Sequence, residues 1–378
     1  MKIIIAPDSF KGALRAPAVC AALREGWLSR RQKDELLLFP LADGGEGTCE
    51  ALVRSTGGVF LELTARDPLM RPVRCVCGVS GDGGTGIMEL ASASGIELLK
   101  KEELDPFRAT TYGSGEVLKH LLGRGCRRIV LGIGGSATVD GGAGMLQALG
   151  VRFYDRAGKE LPPGAGGGDL ERIARADMTG LDPRLAQTRI MVACDVTNPL
   201  CGPRGAAAVF APQKGAAPGM IPALESALRA WAALWGGDPE LPGGGAAGGV
   251  GFMLRNVLKA ELCSGAKLVI ESAGLPGALE GAALLITGEG CSDEQTVCGK
   301  LCAVAADFAA ARGVPAVLCS GAVKGDYCIL QKVFAAVFSI SNGAITLEEA
   351  MKNTESNLRL AGADLAALAE IFGKGGDR

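Results

Sequence analysis

Short apolar runs alternate with segments of helical periodicity from the first residues of the chain onward. Runs at 2–6 and 36–41 predict two strands, and residues 16–31 between them predict an amphipathic helix. A further helix is predicted at 49–55, soon after the second strand. Strands that alternate with helices in this order indicate a parallel sheet.

The pattern changes between residues 59 and 90, where the apolar runs are short or alternate with polar residues between turns. Such runs are typical of antiparallel strands. They predict strands at 59–64, 73–78 and 86–90. Further along, the runs 151–154 and 159–161 predict a hairpin.

Residues 128–150 carry the most distinctive strand-to-helix unit. The buried strand predicted at 129–133 ends in Gly134-Gly135-Ser136-Ala137-Thr138, Asp140 follows, and helix-forming residues resume at 143–149. A glycine-rich turn at this position can present backbone N–H groups to anionic oxygens. Glycines also let a helix pack closely on a sheet, so a purely structural interpretation stays open.

Strand and helix patterns alternate again in the second half of the chain. The predicted strands are 190–194, 284–287, 315–320 and 333–339, and the predicted helices are 218–235, 252–263, 300–311 and 347–372. This order predicts a second parallel α/β run that extends to the C-terminus.

Length and charge narrow the class of protein. A chain of 378 residues is long for a single core and predicts two domains, or three. A hydrophobic content of 48% with a net charge of −2 is typical of a soluble globular protein, and the few aromatic residues argue against nucleic-acid binding. No apolar run approaches the ~18 residues of a membrane span, and residues 1–6 are too short for a signal peptide, so we expect a cytoplasmic protein.

The cysteines and the single histidine argue against a zinc site and against a Ser-His-Asp mechanism. The 13 cysteines form no C-x-x-C pair and lie mostly in apolar runs, so reduced thiols in the core are expected. The spacing of Cys291, Cys298 and Cys302 fits no familiar zinc pattern. A Ser-His-Asp mechanism would depend on His120, at the end of a predicted helix, and is disfavoured.

Carboxylates follow the predicted strands closely. They are Asp8, Asp43, Asp140, Asp195 and Glu289, with Asp293 just beyond the last. Ligands of parallel α/β sheets bind outside the carboxyl ends of the strands, and carboxylates beside glycine turns suit Mg²⁺ and a polyphosphate. An aspartate at such a position is also a common helix N-cap, which is the alternative for each one. The chain has no P-loop and no N-terminal dinucleotide turn. The residues alone therefore predict an α/β enzyme with an acidic, glycine-lined site that uses a metal and a phosphorylated ligand.

A family resemblance goes further. The motifs that carry it, in chain order, are APDSFKG (6–12), ADGGEGT (42–48), GIGGSAT and DGGAGMLQALG (132–150), ACDVTNPLCGP with GA two residues on (193–206), FAPQKGA (210–216), GAAGG with a further Gly (245–251) and TGEG (287–290). Together they resemble the bacterial-type (type 1) glycerate kinase family over nearly the whole chain. The resemblance implies ATP-dependent phosphorylation of D-glycerate with Mg²⁺, the product being taken as 2-phosphoglycerate.

The resemblance also implies two α/β domains with the site in the cleft. A Rossmann-like parallel-sheet domain is expected from residues 1–65 and 284–378, with a mixed α/β domain of residues 66–283 inserted in it. The parallel runs predicted at both chain ends fit this arrangement.

Roles for the candidate residues are hypotheses at this point. Lys11 is the candidate for pairing with the transferring phosphoryl group or the glycerate carboxylate, and Asp8 or Asp195 for orienting the acceptor hydroxyl as a base. The Mg²⁺ candidates are Asp43, Glu46, Glu289 and Asp293. The candidates for binding the cofactor phosphates are Gly44, Gly45, Gly47, Thr48, Gly134, Gly135, Ser136, Thr138 and Asp140. The alternatives are an N-cap for each aspartate and a solvated surface charge for Lys11.

Three departures from the family pattern leave the acceptor open. Val139 stands where the family usually has Asn, and Cys291 stands where it usually has Arg. Cys302 and Val304 replace the usual Pro and Gly. A kinase of a different small hydroxy acid, or a weakly active relative that binds a sugar acid as a sensor, are therefore the alternative functions.

Overall fold

The computed structural model describes residues 1–41, 48–297, 299–343 and 345–373. The chain divides into two compact units. Both chain ends, Met1–Asp43 and Ala266–Arg378, form what we call the end unit, and Gly44–Gly265 forms the middle unit. The domain bounds inferred from the family resemblance, 1–65 with 284–378 and 66–283, stay a prediction.

The strands and helices of the described residues are numbered in chain order. The strands are β1 (Lys2–Ile5), β2 (Glu35–Leu38), β3 (Val59–Arg66), β4 (Pro72–Val79), β5 (Thr85–Glu89), β6 (Arg128–Gly132), β7 (Arg152–Tyr154), β8 (Arg175–Asp177), β9 (Arg189–Ala193), β10 (Glu261–Cys263), β11 (Leu284–Glu289), β12 (Ala316–Ser320) and β13 (Ala336–Ser339). The α-helices are α1 (Ala16–Leu28), α2 (Thr48–Ser55), α3 (Ala91–Ser94), α4 (Tyr112–Gly123), α5 (Ala143–Ala148), α6 (Ala206–Phe210), α7 (Ile221–Trp235), α8 (Ala246–Asn256), α9 (Gly265–Ser272), α10 (Leu275–Ala278), α11 (Leu301–Ala310), α12 (Tyr327–Leu330), α13 (Leu347–Lys352) and α14 (Thr354–Gly373). Short 3₁₀ segments lie at Ile96–Leu98, Lys101–Glu103, Gly167–Arg172, Pro183–Gln187, Pro212–Lys214 and Pro218–Met220.

The end unit is built on a five-stranded sheet in the order β13-β12-β11-β1-β2, and its strand pairs are all parallel. The apolar run of β1 is fully buried at Ile3, Ile4 and Ile5, as expected of a strand that is covered on both faces. Helices α1 and α14 pack closely, since a Cβ on Gly26 would lie 1.9 Å from the carbonyl oxygen of Arg359. The predicted parallel sheet built from both chain ends is confirmed.

The middle unit is built on a six-stranded mixed sheet in the order β10-β9-β6-β5-β4-β3. Strands β3, β4 and β5 pair in antiparallel fashion, and β5, β6, β9 and β10 pair in parallel. The antiparallel strands expected between residues 59 and 90 are therefore present. Trp231 of α7 is fully buried in the core, and its Nε1–H donates to the Gly141 carbonyl at 3.0 Å.

The hairpin predicted from 151–154 with 159–161 is present as a short antiparallel pair. Tyr154 and Glu160 are bridged, the Asp155 N–H donates to the Lys159 carbonyl at 2.9 Å, and the Leu161 N–H donates to the Phe153 carbonyl at 2.8 Å. The Asp155 carboxylate accepts the N–H groups of Ala157 and Lys159, both at 2.9 Å, and so closes the turn. The small strand β8, which was not predicted, pairs with the other edge of β7.

Two helix predictions are wrong in their bounds. The helix predicted at 252–263 ends early. Helix α8 stops at Asn256, and residues 261–263 become β10, paired in parallel with β9. Lys259 between them has φ of 56°, in the left-handed region, where a helix cannot continue. The terminal helix predicted at 347–372 is likewise divided into α13 and α14.

Candidate active site

A cavity of about 660 Å³ lies at the carboxyl edge of the sheet in the end unit. Loops that follow β1, β11, β12 and β13 line it, together with the start of α11 and residues 345–354. Asp8, Lys11 and Glu289 are among the residues that line it, so three of the sequence candidates lie around one cavity. Parallel strands bring their carboxyl ends to the same edge, which accounts for this grouping.

Glycines allow the three central loops to approach one another. A Cβ on Gly321 would lie 2.4 Å from the Gly290 carbonyl oxygen, and one on Gly290 would lie 3.3 Å from the Lys11 backbone nitrogen. The loops are also joined by backbone hydrogen bonds, including Asp8 N–H to the Gly288 carbonyl at 2.8 Å. Larger side chains at 290 and 321 would push the walls of the cavity apart.

The two carboxylates at the cavity are held by hydrogen bonds from their own loops. Asp8 is only 9% exposed, and its Oδ1 accepts the Ser9 N–H at 2.6 Å. Oε1 of Glu289 accepts the hydroxyls of Ser292 at 2.9 Å and Thr296 at 2.6 Å. These bonds fix the carboxylates in position at the ends of β1 and β11.

Lys11 is exposed at the tip of a tight turn. The Phe10 N–H donates to the Leu14 carbonyl at 2.8 Å, and Gly12 takes a φ of 78° that closes the turn. Phe10 itself is buried in the core of the end unit. The anchored turn therefore presents Lys11 at the cavity.

Asp293 lies outside the cavity lining. Its Oδ1 is 3.6 Å from the Lys300 ammonium and also accepts the Gln295 N–H at 2.9 Å. Among the described residues, no group of three or more His, Cys, Asp or Glu side chains is placed to share a metal ion. Asp293 thus helps to shape its own loop and forms a half-exposed ion pair.

The glycine-rich turn of the middle unit lies at the carboxyl end of β6. Gly134 and Gly135 are exposed, whereas Ser136 and Thr138 are buried. In the described residues, the Thr138 hydroxyl is buried without a hydrogen-bond partner. Only the first part of the turn can therefore offer backbone N–H groups to a ligand.

Asp140 is fully buried and organises this turn from inside. Its carboxylate accepts the N–H and hydroxyl of Thr111, at 2.8 and 2.6 Å, and the N–H groups of Gly142 and Gly144, at 3.1 and 3.2 Å. Burial raises the pKa of this carboxyl despite those donors. The geometry favours a structural role for Asp140 over direct contact with a cofactor.

Lys214 lies beneath the same turn and was not singled out by sequence reasoning. Its ammonium nitrogen donates to Ser136 Oγ at 2.7 Å and to the Thr138 carbonyl at 2.8 Å, and the residue is 2% exposed. Burial lowers the pKa of Lys214 to about 7, although the Asp140 charge acts in the opposite direction. The available signal was its place in the FAPQKGA motif, inside an otherwise apolar segment.

Asp195 follows β9, the parallel neighbour of β6. Gly132 and Ala193 are paired across these strands, so the Gly134–Thr138 turn and Asp195 follow adjacent strand ends. Asp195 is exposed, and its Oδ1 accepts the N–H of Gly265 at 2.9 Å, at the start of α9. The helix-capping alternative is therefore present in the structure, alongside an exposed carboxylate.

The remaining candidates cannot be placed. Asp43, Gly44, Gly45, Glu46 and Gly47 lie outside the described residues, as does Cys298. Thr48 is the first residue of α2, but its side chain is also outside the description.

The departures from the family pattern lie in different environments. Val139 is fully buried in the core of the middle unit. Cys302 is buried at the start of α11, and Cys291 is half-buried at the cavity of the end unit. Of these three, only Cys291 and Cys302 line a cavity, and Val139 has no exposed surface with which to meet a ligand.

Comparison with known proteins identifies the family. The sequence profile described as the glycerate kinase family matches residues 3–370. This chain belongs to the glycerate kinase family. It is similar to the glycerate kinase of Bacillus subtilis (strain 168), with 42% identity over 98% of each chain. It is also similar to the glycerate 2-kinase of Escherichia coli (strain K12), with 41% identity over 98% of each chain.

A solved structure supports the same assignment. A crystal structure of a protein assigned as glycerate kinase 2 from Salmonella typhimurium LT2 matches with a TM-score of 0.90 and 41% identity, over 99% of both chains. Membership of the family makes this chain an enzyme of the kinase class, and the resemblance inferred from its motifs is confirmed. No helix in the described ranges is both long and apolar enough to cross a membrane.

Proposed function

We propose that this enzyme transfers the γ-phosphoryl group of ATP to a hydroxyl of D-glycerate, giving 2-phosphoglycerate, with Mg²⁺. The observation that carries the proposal is the grouping of Lys11, Asp8 and Glu289 around one cavity at a strand-end edge. A cation and two carboxylates are the groups that phosphoryl transfer requires, because catalysis of this reaction is mostly positioning and charge neutralisation. Membership of the glycerate kinase family supports the acceptor. The cytoplasmic location expected from the sequence stays a prediction.

Lys11 is assigned to the transferring phosphoryl group. The residue is exposed and lines the cavity on an anchored turn, which places a positive charge at the cavity where charge develops during transfer. Asp8 or Asp195 is assigned to orient the acceptor hydroxyl and accept its proton. The exposed Gly134-Gly135 segment is assigned to an anionic oxygen of a substrate.

The carboxylates at the cavity fit Mg²⁺. This ion is usually held by one or two carboxylates together with substrate phosphates and water, so a protein cage of three carboxylates is not required. Glu289 is the described residue that would hold it, and Asp43 and Glu46 keep that role as predictions. When bound, Mg²⁺ neutralises charge on the phosphate oxygens.

A coupled assay of ADP release over a panel of small hydroxy acids tests the proposal. We expect D-glycerate to give the highest kcat/KM, and ³¹P and ¹³C NMR of the product to place the phosphate on the C2 hydroxyl. Faster turnover of another acid would favour the first alternative function, a kinase of a different small hydroxy acid. Binding of a sugar acid without turnover would favour the sensor.

Asp195→Asn separates chemistry from capping. The amide oxygen can still accept the Gly265 N–H, so we expect Tm to stay within a few degrees of wild type while kcat falls by at least about tenfold through loss of the base. Steady-state kinetics and thermal melts measure the two effects. Asp195→Ala is the control, since it removes the cap as well and should lower Tm. A wild-type kcat in the Asn variant would show that Asp195 caps the helix and does not act as the base.

A further inference from the structure

We propose that the cavity of the end unit is the nucleotide site. In this assignment, the adenosine part lies against an apolar wall made by Ile340, Ile345, Leu347 and Met351. The phosphates lie on the strand-end loops that carry lysines. The inference rests on the proposed function in that it takes the phosphoryl donor to be a nucleotide. It adds the location of the nucleotide and names the residues that contact its adenosine part and its phosphates.

The first argument is the position of the cavity in the sheet. From the neighbouring strands β1 and β11, the chain proceeds outward in opposite directions, through α1 to β2 and through α11 to β12. Such a point, where the strand order reverses, opens a crevice at the carboxyl edge of a parallel sheet, and ligands bind there. The loops that follow β1 and β11 both line the cavity.

The second argument is size. The cavity measures about 660 Å³, which is in the range of sites that enclose ligands much larger than a three-carbon acid. D-glycerate would fill only a small fraction of it and would leave the apolar part empty. A nucleotide is large enough to fill the cavity, and its adenosine and phosphate parts match the apolar and charged walls.

The third argument is the apolar wall. Ile345 is 41% exposed and Leu347 is 76% exposed, and both line the cavity together with Ile340 and Met351. Single exposed apolar residues are ordinary on protein surfaces. Here several apolar side chains converge on one wall of a cavity whose other walls carry charged groups. They provide a surface for a flat, weakly polar ring, because contact between the ring and these side chains removes apolar area from water.

The fourth argument is charge. Lys11, Lys300 and Lys324 line the cavity, and they outnumber its two carboxylates, Asp8 and Glu289. Lys300 forms an ion pair with Asp293 at 3.6 Å in which both side chains are about 40% exposed. A pair so exposed contributes little stability, so Lys300 can turn to a phosphate at small cost. The first turn of α11 also faces the cavity and favours anions.

With the nucleotide in the end unit, the middle unit is left for the acceptor. The exposed Gly134-Gly135 segment and Asp195 follow the adjacent strands β6 and β9. They combine candidate N–H donors for a carboxylate with a candidate base for a hydroxyl, which are the two groups that a hydroxy acid presents.

Two variants with matched controls test the assignment, with ADP binding measured by calorimetry in the absence of glycerate. Lys324→Gln should raise the Kd of ADP about tenfold and change that of adenosine, measured by competition, by less than twofold. Leu347→Gln should weaken ADP and adenosine alike, by about fivefold. The controls Lys332→Gln and Leu360→Gln alter exposed residues of the same types outside the cavity lining and should leave both ligands within twofold.

A measurement on the wild-type protein keeps the test independent of folding in the variants. Saturating ADP should slow maleimide labelling of Cys291, at the cavity, by at least tenfold, as followed by mass spectrometry of individual peptides. Labelling of Cys328, which is exposed and outside the cavity lining, should not change. Unchanged labelling of Cys291, or wild-type ADP affinity in both cavity variants, would overturn the assignment.

Failure of this inference and failure of the proposed function are distinguishable. If the cavity variants bind ADP normally but show a raised KM for D-glycerate, the cavity belongs to the acceptor, and the kinase proposal survives. If ADP protects Cys291 and the variants behave as expected, yet no hydroxy acid is phosphorylated, the nucleotide site stands and the proposed function does not.

Discussion

Replacement of Lys11 by methionine is expected to lower kcat by about 100-fold or more with little change in Tm. Lys11 is exposed at the cavity, on a turn held by Phe10 and Gly12, so its removal should not disturb the core. A positioned cation that stabilises charge in the transition state is typically worth two to three orders of magnitude in kcat. Steady-state kinetics with D-glycerate and ATP, together with thermal melts, measure both quantities.

The pattern of kinetic change identifies what Lys11 does. A fall in kcat and kcat/KM together indicates a contact made mainly in the transition state, whereas a raised KM at constant kcat indicates uniform binding of a substrate. Lys33→Met is the matched control, since Lys33 is also exposed in the end unit but precedes β2, at the opposite edge of the sheet. If Lys11→Met and Lys33→Met both keep wild-type kinetics, Lys11 is only a solvated surface charge.

Replacement of the buried Lys214 by methionine is expected to destabilise the middle unit and to weaken acceptor binding. The change leaves Ser136 Oγ and the buried Thr138 carbonyl without the donor that now lies 2.7 and 2.8 Å away. Loss of such bonds to a buried amine costs about 2–4 kcal/mol, which for a unit the size of Gly44–Gly265 lowers Tm by roughly 5–15 °C. Because Lys214 holds the glycine turn assigned to the acceptor, KM for D-glycerate should rise at least fivefold, with ADP affinity unchanged.

The pH dependence of stability gives a second measurement on Lys214. Burial lowers its pKa from 10.5 to about 7 in the folded protein. Between these values the unfolded chain binds more protons than the folded one, so the free energy of unfolding rises with pH over this window. The free energy of unfolding of wild type minus that of Lys214→Met should therefore increase between pH 7 and 10. The limiting slope of this difference is about 1.4 kcal/mol per pH unit.

Lys119→Met is the control for the thermal melts and the kinetics. Lys119 is exposed on α4, in the same unit, and its ammonium donates to the Ala148 carbonyl at the longer distance of 3.3 Å. Its loss should change Tm by only a few degrees and leave KM for D-glycerate at the wild-type value. A Lys214→Met protein with wild-type stability and KM at all pH values would show that the turn does not depend on this lysine.

Sequence patterns located the strands that are marked by a short apolar run of their own residues. Strand β1 is the run 2–6 less its last residue, and 129–133 and 190–194 each coincide with a buried strand to within one residue at either end. A short apolar run between glycine or polar breaks is sufficient for this, because a strand covered on both faces admits few polar residues. The motifs located the family in the same way, because each is a continuous run of residues that can be recognised without knowing its tertiary contacts.

Patterns failed where the partner of a segment decides its structure. Residues 261–263 continue a helical periodicity on paper, yet they pair with β9 once the left-handed Lys259 ends the helix. Strand β7 also has a distant partner, 175–177, that no local pattern predicted. Short segments satisfy helix and strand patterns equally well, so contacts distant in sequence determine the outcome.

For the site, the sequence by itself determined which carboxylates and glycines follow strands, and tertiary structure decided what each one does. Strand ends alone predicted that Asp8 and Glu289 would share an edge of the sheet, because parallel pairing brings such ends together. Burial separated Asp140, enclosed by four donors, from the exposed Asp195, although both follow strands in the same way. Tertiary packing also places Lys214 in the interior, where a charged group is stable only if surrounding polar or charged groups compensate its charge. A sequence pattern records only residue types and their spacing. The exposure of a side chain to water depends on every element that packs around it. That exposure determines whether the side chain stabilises the fold or contacts a ligand.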